Sequence, residues 1–183
     1  MNLSSLINIA TSLETALLEI EECRLWDKSL RCKYAEYLVA KKLAQQKHSV
    51  EILNERSNTN ADIFLPQIGK RVEVKSSCFH KDGWADASFS DGKQIFDKKF
   101  DYCVWVLFDK EAAKPKHLLV FTRDEIKEVA QKRNGVGSHI TNQFLLLLAP
   151  NLNEFEGYAK PFAVEKRLVT HRAQFENRWE KIK

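Results

Sequence analysis

Ala61 to Ser77 reads ADIFLPQIGKRVEVKSS, and the fold turns on how this stretch is read. Two short apolar runs flank Pro66 to Gly69, a proline-glycine span that favours a turn. Asp62–Leu65 and Arg71–Ser76 are therefore expected to pair as a hairpin. Strand side chains alternate faces, so Arg71, Glu73 and Lys75 share one side while Val72 and Val74 take the other. Folding about Gln67–Gly69 sets Asp62 opposite Glu73 to Lys75, with cross-strand Cβ atoms roughly 4.5–5.5 Å apart. Two carboxylates at that separation repel, and a divalent cation relieves the repulsion. A solvated, salt-bridged hairpin accounts for a bare Glu-x-Lys more simply. The same triplet recurs as Glu125-Ile126-Lys127, in a segment that reads as helix, where residues two apart do not face each other. What separates the first occurrence is its setting on a strand, with an aspartate on the strand before it.

Working outward, Leu3 to Glu22 has helical spacing, and Asp27 is a good N-cap for a second helix reaching about Lys47. Ser49–Leu53 reads as a strand, and Asn54–Asn60 as a polar loop. Lys81 to Lys93, rich in Asp, Ser and Gly, reads as irregular. Tyr102–Phe108 (YCVWVLF) is a near-continuous apolar run, the pattern of a central strand buried on both faces. Leu118–Phe121 follows as a strand. Thr122 caps a helix to about Lys132, with Glu125 in the capping-box position. Phe144–Leu148 fits a strand or a buried helix, and Val164–Ile182 a charged C-terminal helix. The expected architecture is α/β, a central mixed β-sheet flanked by helices. It forms a single domain over residues 1–183, with a core at about 27–132.

The 183 residues suffice for one hydrophobic core. A hydrophobic fraction of 44% beside 30% charged residues describes a globular chain, not a disordered one. No apolar run, Phe144–Ala149 included, comes near the about 20 residues a membrane span needs. The N-terminus lacks the cationic and apolar regions of a signal peptide. Cys23, Cys32, Cys78 and Cys103 form no Cys-x-x-Cys pair, so reduced thiols in a cytoplasmic protein are expected. A net charge of +4 is compatible with a polyanionic partner without requiring one.

Upstream, RCKYAEYLVAKKLAQQ places Glu36 on a helical stripe with Cys32, Val39, Ala40 and Leu43. A core-facing carboxylate is costly unless it is paired, protonated or close to a cation. A metal in the adjacent sheet supplies one such cation; a glutamate at the edge of the stripe, reaching out to solvent or pairing with Lys33, is the other solution.

The ordered set YAEYLVAKKL, a strand, then ADIFLP…RVEVKSS resembles the PD-(D/E)XK nuclease superfamily, which has the restriction-endonuclease-like fold. The resemblance covers about Arg31 to Phe108. It departs at Ala61, where the name-giving proline would stand. It implies a helix acid at Glu36, the motif aspartate at Asp62 and the Glu-x-Lys pair at Glu73 and Lys75. Gln94, in SDGKQIF, matches the glutamine that many members carry after the motif strand. The implied activity is endonucleolytic hydrolysis of DNA phosphodiester bonds with Mg²⁺, or Mn²⁺ in its place. Asp62, Glu73 and Glu36 would be metal ligands, and Lys75 would organise the attacking water. Cutting both strands of a duplex favours a homodimer. A catalytically silent nucleic-acid-binding module of the same fold is the rival reading, and it gains nothing from carboxylates facing phosphate. Lys93 and Ser88–Gly92 are candidate phosphate contacts. His80, Lys132–Gln143 and the C-terminal helix are better explained as surface features.

Overall fold

A computed structural model of the chain describes residues 2–19, 27–53, 61–79, 85–89, 97, 99–109, 114–132, 144–148 and 172–183. Two helices lead. Helix α1 (Leu3–Leu18) is capped by Asn2, whose Oδ1 accepts from the Ser5 N–H at 2.8 Å. Helix α2 (Lys28–Gln45) is capped by Asp27, whose Oδ1 accepts from the Leu30 N–H at 2.9 Å. Each cap satisfies an amide that the helix itself cannot.

Five strands then build one mixed sheet. They are β1 (Glu51–Ile52), β2 (Ile63–Leu65), β3 (Lys70–Cys78), β5 (Tyr102–Phe108) and β6 (Pro115–Thr122), in the order β1-β2-β3-β5-β6. All neighbours are antiparallel except β3 and β5, which run parallel. The remaining strands β4 (Ala85–Phe89), β7 (Gln131–Lys132) and β8 (Phe144–Leu148) form a second, antiparallel sheet in the order β4-β8-β7. Helix α3 (Arg123–Val129) follows β6 directly.

The main sheet is buried on both faces, which is why β5 has no exposed residue. Tyr102, Val104, Val106 and Phe108 join Val72, Ile63 and the apolar side of α2 in one core. Cys103, Trp105 and Leu107 join Ala85, Ala87, Phe89, Ile126 and Leu146 in another. Alternation along one strand thus serves two layers, α1 and α2 on one side, and α3 with the second sheet on the other.

The α/β mixed-sheet expectation holds, as do the hairpin, the buried central strand and the capping box at Thr122. Four expectations fail. Ala85–Phe89 is a strand, not irregular, because Ala85, Ala87 and Phe89 alternate into the core. Helix α3 stops at Val129, and Gln131–Lys132 pairs with β8 instead. The end of the expected C-terminal helix, residues 172–183, is two 3-10 turns, Arg172–Gln174 and Trp179–Lys181. This segment lies along the outer edge of β6, where Val120 N–H donates to Phe175 O at 2.8 Å and Asn177 N–H to Leu118 O at 2.9 Å. It drops Phe175 into one core and Trp179 and Ile182 into the other, a division that one helix face could not make. Finally, Cys78 is disulfide-bonded, whereas Cys32 and Cys103 are free. Pairing depends on which sulfurs the fold brings together, and spacing along the chain does not reveal that. Among the described residues, no helix is long and apolar enough to cross a membrane.

Candidate active site

The antiparallel β2–β3 pairing carries on one residue past β2. Asp62 N–H donates to Val72 O at 3.1 Å, and the Asp62 side chain turns back so that Oδ2 accepts from the Val74 N–H at 2.6 Å. That bond fixes the carboxylate against β3, on the stretch that carries Glu73 and Lys75. Across the parallel pairing, Glu73 lies beside Cys103 and Lys75 beside Trp105, all on the face of the second core. Lys75 Nζ meets Glu73 Oε1 at 2.6 Å.

The pair is mostly removed from water, with 19% of the Lys75 side chain and 8% of the Glu73 side chain exposed. Burial pushes the Glu73 carboxyl up to about 7. Lys75 pulls it back down, whereas the charges of Asp62 and, more weakly, Glu36 push it further up. Burial also works to strip the proton from Lys75. The charge and hydrogen bond of Glu73, with Cys103 and Asp62 behind them, outweigh burial and raise the lysine pKa. Lys75 is therefore a held cation. The Cys103 thiol, fully buried next to the pair, is pushed well above its ordinary range by burial and by Glu73, so it stays neutral.

Glu36 is buried on α2, as its stripe predicts, at 7% exposure. Its Oε2 meets Lys33 Nζ at 2.9 Å, so the pairing with Lys33 is present. It also lies close enough to Glu73 to act on its proton affinity. Asp62, Glu73 and Lys75 thus come together on one strand pair, and Glu36 reaches them electrostatically from the helix layer. Gln94, Lys93 and His80 lie outside the described residues, as does nearly all of Lys132–Gln143. Among the described residues, no three His, Cys, Asp or Glu side chains form a ready cation cage.

Two features were missed in the sequence. Phe89 on β4 places its ring centroid 4.8 Å from Lys75 Nζ. Trp105 Nε1–H donates to Ser77 Oγ at 2.6 Å, in the buried floor one alternation further along β3. For the first, the alternation of ADASF, apolar at Ala85, Ala87 and Phe89, was an available signal that Phe89 lies on a strand facing the core, but not that its ring meets Lys75. The second had none, since a tryptophan in an apolar run looks like core.

No family model and no curated protein matches the sequence. The fold is similar to the solved structure of a bacterial homing endonuclease, I-Ssp6803I. The match covers 85% of this chain and 92% of that one, with a TM-score of 0.50 and 16% sequence identity. At that identity the likeness is one of fold: a mixed five-stranded sheet with helices, shared with a nuclease.

Proposed function

We propose that this protein is a DNA endonuclease of PD-(D/E)XK type that depends on Mg²⁺, with Mn²⁺ as a substitute, and is of restriction type or of repair or resolvase type. The observation that carries the reading is the meeting of Asp62, Glu73 and Lys75 on the β2–β3 hairpin. The similarity in fold to a homing endonuclease supports it. The donors suit magnesium, which takes one or two carboxylates and fills its remaining positions with water and substrate phosphate. Glu73 and Asp62 would hold the ion, and Glu36, paired with Lys33, would add negative charge from the helix layer. Burial and the neighbouring charge of Asp62 hold the Glu73 carboxyl at about 7, and a bound cation would favour its ionised form. When bound, the ion would supply Lewis-acid polarisation of the phosphate and neutralise developing charge.

The chain's own groups carry the rest. Lys75 keeps its proton, so it acts as a fixed cation, not as a base. It would donate to a non-bridging phosphate oxygen and to the attacking water, where charge accumulates in the transition state. Water would attack phosphorus in line and give up its proton to solvent, the bond to the 3′ oxygen would break, and that oxygen would leave and take up a proton from solvent. The hydrogen bond from Val74 N–H keeps Asp62 in one orientation, so the site is not reorganised during the reaction. Two such sites in a homodimer would serve the two strands of a duplex.

The test is nicking or linearisation of supercoiled plasmid with Mg²⁺, Mn²⁺ or chelator, alongside melting curves under the same conditions. The protein should cut only with the metals, and millimolar metal should raise its melting temperature, as any ligand of the native state does. Asp62→Asn should abolish both effects. Cutting in chelator, or a metal shift that persists in Asp62→Asn, overturns the reading.

A further inference from the structure

Lys75 has a second neighbour that the nuclease reading does not use. Its side chain is a flexible four-carbon stem ending in a point charge with three donors, and one contact with Glu73 leaves that charge free to swing. Phe89 restricts it from another side, with its ring centroid 4.8 Å from Nζ. The ring is fully buried and stacks on Phe100 at 6.0 Å, with the planes 20° apart. Its strand is pinned by five successive pairings with β8, Ala85↔Leu148 through Phe89↔Phe144. The aromatic wall is thus anchored in the second sheet, whereas the acids it serves belong to the first.

We propose that Phe89 is a positioning residue for Lys75, its π face and Glu73 together holding the ammonium where the scissile phosphate would sit. The inference rests on the nuclease reading of Lys75. A core role alone needs only apolar volume at position 89, which a leucine supplies. Holding a cation needs the negative face of the ring, which is a matter of electron density. That difference makes the two roles separable. It also gives the β4-β8-β7 sheet a task in the chemistry.

Fluorinated phenylalanines at position 89 keep the shape of the ring while draining its face stepwise. In single-turnover cleavage with protein in saturating excess over plasmid, mono-, di- and trifluoro rings should slow the reaction progressively, to about tenfold for the trifluoro ring. DNA affinity in Ca²⁺ should stay unchanged. Phe89→Leu should fall at the slow end of the series while melting within a few degrees of wild type. In the NMR spectrum, the Lys75 ε-methylene protons should be shifted by the ring current, and Phe89→Leu should return them to ordinary positions. A flat rate across the fluorinated series, in a protein that does cut, overturns this inference alone, as does an unshifted Lys75. If the wild type does not cut with any metal, the nuclease reading falls and this inference falls with it.

Discussion

Glu73-Val74-Lys75 and Glu125-Ile126-Lys127 are the same triplet of residue types with opposite outcomes. On β3, a period of two brings the carboxyl and the ammonium to one face, and they meet at 2.6 Å. On α3, the two side chains diverge and each finds another partner. Glu125 Oε2 accepts from the Thr122 N–H at 2.7 Å, closing the capping box, and its Oε1 meets Lys181 at 2.7 Å. Lys127 pairs with Asp124, three residues back, at 3.1 Å. The strand pair is also nearly buried, whereas the α3 partners keep more contact with water. Backbone period decides whether two residues share a site, and burial decides whether sharing has consequences for their protons.

The largest effect that separates the triplets is on cleavage. Lys75→Ala should lower the single-turnover rate by about 10²–10³, the usual loss for one preorganised contact to developing charge. Binding in Ca²⁺ should survive, since affinity for DNA is spread over many phosphate contacts. Lys127→Ala should cut at the wild-type rate. Equal rates for the two variants would erase the distinction and remove Lys75 from the chemistry.

The next effect is on stability against pH, in protein kept in chelator. Glu73 binds its proton more tightly folded, with a pKa of about 7, than at its ordinary 4.5. Between those values the folded state holds a proton that the unfolded chain has released. Stability therefore falls as pH rises from about 4.5 to 7, and the contribution levels off above that. At about 1.4 kcal/mol per unit the loss is up to ~3 kcal/mol. Denaturant midpoints across this range should slope downward for wild type, and Glu73→Gln should flatten the slope. A wild-type midpoint that climbs steadily from pH 4.5 to 7 would contradict the burial argument.

The comparison also shows what was legible in the sequence. Asp62, Glu73 and Lys75 could be placed together because a hairpin is local: turn, alternation and cross-strand spacing suffice. Glu36 was legible as a buried acid, but its cation was not, because a neighbouring lysine and a distant metal site answer the same need. Phe89 was invisible as a neighbour of Lys75. Its strand pairs with β8, more than fifty residues further along the chain, and no local pattern encodes that approach. The C-terminal segment misled for a related reason. Its Phe175, Trp179 and Ile182 suit a helix stripe, yet pairing with the open edge of β6 buries them in two cores.

The smallest effect belongs to Glu125, whose work is wholly structural. Its carboxylate closes the capping box with Thr122, accepting from both the backbone N–H at 2.7 Å and the hydroxyl at 3.1 Å. It also anchors Lys181, whose ammonium donates to Val120 O at 3.3 Å and so ties the C-terminal segment to β6. Glu125→Ala removes one reciprocal cap bond and one partly exposed ion pair, together worth about 1 kcal/mol. For a chain of this length that is a fall of about 2–4 °C in melting temperature. Glu125→Gln keeps the capping-box bond and loses only the charge, so it should recover most of the difference. In both variants the cleavage rate per folded molecule should match wild type, because α3 contributes apolar side chains to the second core and no charge to the Glu73–Lys75 pair. A tenfold loss of cleavage in Glu125→Gln at unchanged melting temperature would mean that the helical triplet also reaches the substrate, and the contrast between the two would fail.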